Sequence, residues 1–157
     1  MSTAIKVRVA TLSDIPTVMA FAAHAATAAN WSHKQYVVVF SAVEHHLSLV
    51  VEDREQVVGF VVARMLEGAW EIENIAVAGA ARRRGLATRL MGELMGRARA
   101  AGANQVFLEV RESNHAGRSL YEKWAFEPAG RRKAYYQKPV EDALIYRFTF
   151  PSSQGGK

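Results

Sequence analysis

Residues 78–88, Ala-Gly-Ala-Ala-Arg-Arg-Arg-Gly-Leu-Ala-Thr, set three consecutive arginines and a glycine directly before an apolar helical repeat. A helix N-terminus leaves about four backbone N–H groups unpaired and carries the positive end of the helix dipole, so it attracts phosphate where side chains leave the approach open. Gly85 and Ala87 leave it open, and Arg82, Arg83 and Arg84 add forked donors. The pattern is neither Gly-x-x-x-x-Gly-Lys-Ser/Thr nor Gly-x-Gly-x-x-Gly, and alone it also reads as a basic turn that starts a helix. Two side chains further on could move protons. Glu109 stands in the run Val-Phe-Leu-Glu-Val at 106–110, where burial would raise its pKa towards that of a working base, although strict alternation would turn it to solvent. Tyr121, with an ordinary phenol pKa of about 10, could donate a proton or pack with Leu120 and Trp124. Asn114 is placed to cap a helix or to bond a ligand. His45 and His46 are adjacent rather than i,i+4, so they read as surface helix residues and no metal site is expected.

Residues 5–10 alternate as a half-buried strand. Ser13 reads as the cap of a helix with Pro16 in its first turn, running to about residue 29, and Trp31-Ser32 opens a second helix through a segment, 37–40, that is β-rich by propensity. Strands at 47–52, 57–65 and 70–77 are separated by turn clusters and form an antiparallel meander. Leu86, Leu90, Met91, Leu94, Met95 and Ala98 mark one face of a helix over 85–101, ended by Gly102, and Val106, Leu108 and Val110 give the next strand. Strand, helix and strand here form a βαβ unit, so the two strands should be parallel neighbours. A short helix over 115–124 and a closing strand through Leu144, Tyr146, Phe148 and Phe150 follow. The fold expected is a single α/β domain over 1–150, with a mixed, mostly antiparallel sheet and a frayed tail at 151–157.

A chain of 157 residues, half of them apolar and 22% charged, buries a core without staples. The absence of cysteine excludes disulfides, thiolate ligands and a cysteine nucleophile. No stretch approaches the roughly 20 apolar residues of a membrane span and no leader opens the chain, so a soluble cytoplasmic protein with no membrane partner is expected. A net charge of +5 and a pI near 9.7 suit a phosphate-rich partner, whether cofactor, RNA or ribosomal surface.

Arg82-x-x-Gly85-x-Ala87, following Asn74-Ile75-Ala76-Val77, resembles the Gln/Arg-x-x-Gly-x-Gly/Ala loop of the GNAT N-acetyltransferases. Leu-Glu-Val-Arg at 108–111, Ser113-Asn114, Leu120-Tyr121-Glu122 and Phe126 follow in the order seen in the ribosomal-protein-alanine acetyltransferases, the RimI group. Asn-Trp-Ser-His-Lys at 30–34, Arg-Lys-Ala-Tyr-Tyr at 132–136 and Glu-Asp-Ala at 141–143 are similar to further elements of that group. The resemblance implies a splayed parallel strand pair forming an acetyl-CoA cleft, with CoA as the product. It implies that residues 82–88 (Arg82, Arg83, Arg84, Gly85, Leu86, Ala87 and Thr88) grip the pyrophosphate. Ile75, Ala76 and Val77 would then offer a backbone edge to the pantetheine amides, and Asn114 a further hydrogen bond. It makes Glu109 the general base for the amine and Tyr121 the acid that protonates the departing thiolate. Trp31, Tyr36, Tyr135 and Tyr136 are candidates to line the acceptor mouth, with core packing as their alternative.

Three positions depart from the pattern: Ala87 replaces a commoner glycine, Ala125 precedes Phe126 where glycine is usual, and residues 137–140 make a short segment beside the acceptor wall. The acceptor implied is the N-terminal α-amine of a protein, such as a ribosomal protein beginning with Ala, with no direct nucleic-acid partner required. A small-molecule amine or a lysine keeps the same donor residues, and a noncatalytic acyl-CoA sensor or RNA-associated module needs neither Glu109 nor Tyr121. The sequence leaves the oligomeric state open.

Overall fold

The protein is described here by a computed structural model covering residues 4–25, 27–82 and 84–151. Arg83, and the tail beyond Pro151 that was expected to fray, lie outside these residues. Seven strands, β1 (Ile5–Val9), β2 (His46–Asp53), β3 (Gln56–Met65), β4 (Ala69–Val77), β5 (Gln105–Arg111), β6 (Glu127–Tyr136) and β7 (Glu141–Thr149), form one sheet in the order β1-β2-β3-β4-β5-β7-β6. Every pair is antiparallel except β4–β5, as the strand-helix-strand pattern requires. Four helices, α1 (Ile15–Ala22), α2 (His33–Ser41), α3 (Leu86–Ala100) and α4 (His115–Lys123), cover it.

The core lies on both faces of the sheet. All six apolar residues of the α3 face are buried, packed with Val61, Ala63, Ile72, Leu108 and Val110. Each such large side chain stabilises the fold by about 1.5–3 kcal/mol on burial. Gly59 makes close packing of α3 possible, since a Cβ there would come within 2.9 Å of Val51 and 3.3 Å of Leu90. On the opposite face, Ile15, Val18, Tyr36 and Phe40 of α1 and α2 pack with Val50, Phe60, Val62 and Ala76.

Several expectations are corrected by tertiary contacts. α1 ends at Ala22, not near residue 29. The alanine-rich stretch beyond it becomes a loop tied to β4, with Thr27 Oγ1 donating to the Ile75 carbonyl and Ala29 N–H to Asn74 Oδ1, both at 2.8 Å. Such bonds outweigh helix propensities of tenths of a kcal/mol per residue. Ser13 is not a cap but lies in a 3-10 turn, Leu12–Asp14, held by Asp14, which accepts from Thr11 N–H at 2.8 Å and from the Arg8 fork at 2.9 Å. His45 and His46 are not helical: His45 is in a turn and His46 opens β2, its Nε2 3.1 Å from Glu73. The closing strand spans Glu141–Thr149 rather than 144–150.

Segment 37–40 is helical because Ser32 and Gln35 form a reciprocal capping box at the start of α2. β6 has no apolar alternation to announce it, being an edge strand exposed along nearly its whole length. Ala125 has φ 67°, the left-handed region, which explains why glycine suits that position and which costs an alanine roughly 1–2 kcal/mol.

Candidate active site

The site begins with a bulge. Val62 pairs with Asn74 and Ala63 with Ile72, leaving Glu73 as an extra residue in β4. A single inserted residue exchanges the two faces of a strand. Trp70 and Ile72 face the α3 core before it, and Ile75 and Val77 after it. The same point ends the β4–β5 ladder, whose last pair is Ile72 with Leu108. Beyond it β4 remains paired to β3 as far as Val77 and β5 to β7 as far as Arg111, so the two halves of the sheet diverge.

A cavity of about 440 Å³ fills the divergence. Its walls include Ile75 from β4, Glu109 and Arg111 from β5, Asn114 and Tyr121 from the start and middle of α4, Trp31 from the α1–α2 loop, and Tyr135 and Tyr136 from β6. Alternation along β5 buries Val106, Leu108 and Val110 under α3 and turns Glu109 and Arg111 to the other face. Glu109 is not surrounded by apolar groups: its side chain is 17% exposed, and its carboxylate accepts from Arg132 Nε of β6. That charge is the main reason the Tyr135 phenol is held above its ordinary pKa. Glu71 and Glu73 also face this cavity. Burial raises the Glu71 carboxyl despite the Arg64 guanidinium at 2.9 Å.

Tyr121 is buried, packed against Phe126 and Tyr146, with its side chain bordering the cavity. Burial first, and the neighbouring Tyr136 second, push its pKa well above that of a free phenol. Asn114 caps α4, its Oδ1 accepting from Gly117 N–H at 2.9 Å. Trp31, Tyr135 and Tyr136 line the cavity, but Tyr36 does not: it is 1% exposed and edge-packed against Trp31, Phe40 and Phe60, so its assignment to the mouth is corrected to the core.

A second groove, about 290 Å³, lies further along the same edge between the start of α3 and the outer side of α4. Val77, Arg82, Gly85, Leu86, Ala87 and Thr88 line it, together with Ser119 and Lys123 of α4. Gly85 has φ 75°, and a Cβ added there would meet nothing within 4 Å, so the first turn of α3 opens to the groove. This arrangement fits a pyrophosphate held by backbone N–H groups. The arginines contribute less uniformly. Arg82 borders the groove while donating to the Val77 carbonyl at 3.1 Å and the His24 carbonyl at 3.4 Å, whereas Arg84 is turned away to Asp53. The Ala76 side chain also points away, into the α1–α2 core.

The fold has counterparts among known proteins. Residues 16–126 match the family described as Acetyltransferase (GNAT) family. The chain belongs to the GNAT acetyltransferase family. Within it, this GNAT domain is 35% identical to the [ribosomal protein bS18]-alanine N-acetyltransferase of Haemophilus influenzae over 105 residues, 65% of this chain and 71% of the relative. It is 32% identical to the Salmonella typhimurium enzyme of the same description over 117 residues, 73% of this chain and 78% of the relative. The crystal structure of the Escherichia coli ribosomal-protein-S18-alanine N-acetyltransferase superposes with a TM-score of 0.80 at 26% identity, covering 95% of this chain and 97% of that one. The protein is therefore a GNAT-fold acetyltransferase, similar to enzymes of the RimI group. Among the described residues no group of His, Asp and Glu could hold a metal ion, and no helix is long and apolar enough to cross a membrane.

Sequence reasoning missed Arg111, Arg132, Glu71 and Glu73 as site residues. The signal for Arg111, Glu71 and Glu73 was present: each alternates with core residues in its strand and so shares a face with the cleft. No periodicity announced Arg132, because β6 packs against nothing on its outer side.

Proposed function

We propose that this GNAT acetyltransferase moves the acetyl group of acetyl-CoA to the N-terminal α-amine of a protein, with a ribosomal protein beginning in Ala as the acceptor suggested by its relatives. The observation that carries the reading is the divergence of β4 from β5 after Ile72 and Leu108, which puts Glu109 and Tyr121 on one cavity with the α3 groove adjoining it. Bound acetyl-CoA supplies an activated acyl group. In this reading the amides of residues 85–88, with Arg82 and Lys123, hold its pyrophosphate, and the freed edge at Ile75, Ala76 and Val77 pairs with its pantetheine arm. Asn114 adds a hydrogen bond, and an N–H near Val77 faces the acyl oxygen and stabilises the charge that develops there without reorganisation.

An α-amine of pKa near 8 arrives mostly protonated and must lose its proton to attack. Glu109 accepts that proton as Arg132 gives way. The new C–N bond forms, the C–S bond breaks, Tyr121 gives a proton to the sulfur, and the second proton, shed by the nitrogen as it becomes an amide, restores the phenol. A phenol keeps its proton at neutral pH until the thiolate leaves, although burial, by raising the Tyr121 pKa, makes it a weaker acid.

The carboxylates of Glu71 and Glu73 beside Glu109 favour a second reading, a small cationic amine as acceptor. Thiol release measured over a panel of Ala-starting peptides, blocked peptides with an internal lysine, and polyamines separates the two. Turnover on the Ala-starting peptides is the expected result. Turnover on polyamines alone would move the acceptor, and CoA binding with no turnover would leave a sensor rather than an enzyme.

A further inference from the structure

The four-residue turn 137–140 that joins β6 to β7 follows directly on Tyr136, which lines the cavity, yet every one of its residues is exposed, so no apolar core holds it in place. One side chain does. Arg111, the last residue of β5, donates through Nη2 to the Gln137 carbonyl at 3.2 Å and through Nη1 to the Pro139 carbonyl at 3.3 Å and Glu141 Oε1 at 3.1 Å. Its guanidinium also lies 4.3 Å from the centre of the Tyr136 ring. The other oxygen of Glu141 accepts from Ser113 N–H, next to the Asn114 cap of the helix that carries Tyr121.

An exposed Arg–Glu pair alone contributes little. Here a single planar fork meets two carbonyls, a carboxylate and a ring face within one hairpin connection, residues 136–141. Only an arginine offers that geometry, since a lysine ammonium can satisfy one or two such partners but not the set. The backbone of Arg111 is two residues beyond Glu109 in the same strand and three before Asn114.

We propose that Arg111 is a positioning residue for the acceptor: it fixes the 137–140 turn and the face of Tyr136 at a set distance from Glu109 and, through Glu141 and Ser113, in register with the Tyr121 helix. The inference rests on the acetyl-transfer reading above. Arg111 does not itself touch the reacting atoms. Its work is to hold the acceptor wall, so its loss is felt by the acceptor and not by the donor.

The test is steady-state kinetics of the full chain with acetyl-CoA and a synthetic peptide beginning in Ala. Arg111→Lys raises the peptide KM about tenfold, the effect of losing roughly 1.4 kcal/mol of binding. It changes the acetyl-CoA KM by less than about twofold, and kcat falls by a smaller factor than the peptide KM rises. Tyr136→Leu raises the peptide KM as Arg111→Lys does, and combining the two gives less than the product of the single effects, as expected for coupled partners. An unchanged peptide KM in Arg111→Lys, or a parallel rise in both KM values, overturns the assignment, as does strict multiplicativity with Tyr136→Leu. Wild-type chain that turns over no amine at all overturns the transfer reading and this assignment with it.

Discussion

The two halves of the cleft are built from different materials. The groove at the start of α3 is made mainly of backbone and small side chains, Gly85 at positive φ, Ala87, Thr88 and the open N–H groups of a helix end, with Arg82 and Lys123 beside them. The acceptor side is made of long side chains from four separate segments, tied by ion pairs: Arg132 to Glu109, Arg111 to Glu141 and the turn, and Arg131 to Glu112 and Asp142. A backbone site is fixed by the fold itself, and changes little if one side chain is exchanged. A side-chain site has no such support, so its geometry can be retuned or lost one residue at a time.

The largest effect expected lies where the halves meet. Glu109→Gln and Tyr121→Phe each lower turnover by about 10²–10⁴-fold, the usual contribution of a positioned base or acid. Calorimetric CoA affinity stays near wild type in both. Loss of CoA binding with turnover would merge the two halves and break the comparison. Next in size is Gly85→Val. A β-branched residue at φ 75° is strained by about 1–3 kcal/mol, so CoA binds about tenfold or more weakly while the acceptor KM is retained.

That contrast also governs what the sequence made legible. The α3 groove could be read because its determinants are contiguous: a strand, a basic loop, Gly85 and a repeat of buried residues within about thirty positions. Glu109 and Tyr121 were legible as candidates because each stands in a patterned element, although pattern alone left their direction open. The acceptor wall was not, since it is assembled by contacts across long separations. Thr27 and Ala29 fold onto β4 through hydrogen bonds that no helical periodicity encodes, and this shortened α1. The aromatic mouth was over-read at Tyr36, which helical spacing places in the core with Phe40. The arginine triplet was read as a unit, whereas Arg84 is drawn to Asp53 by the β2–β3 turn.

Acid should separate the halves without any mutation. Ser113, and then Arg111, hold the Glu141 carboxyl below its ordinary range, and Ala134 N–H followed by Arg131 does the same for Asp142. Carboxyls depressed in the folded state stabilise it above their unfolded pKa values of about 4, and that contribution is lost as pH falls through the folded values. Protection from exchange of the Ser113 and Ala134 amides, which donate to these two carboxyls, should therefore fall below about pH 4 before protection in the body of α3 does. Simultaneous opening of both would contradict the distinction. The smallest effect expected is that of Arg84→Ala, an exposed pair with Asp53 outside the groove, which should alter CoA affinity by less than about twofold. A large loss there would return Arg84 to the phosphate site.

The most direct test of the central claim is to locate the acetyl group. Mass spectrometry of a peptide beginning in Ala and carrying an internal lysine, after incubation with the protein and acetyl-CoA, should find one acetyl group on the α-nitrogen with wild type and almost none with Glu109→Gln. Acetylation confined to the lysine side chain, or equal labelling by the two proteins, would contradict the account.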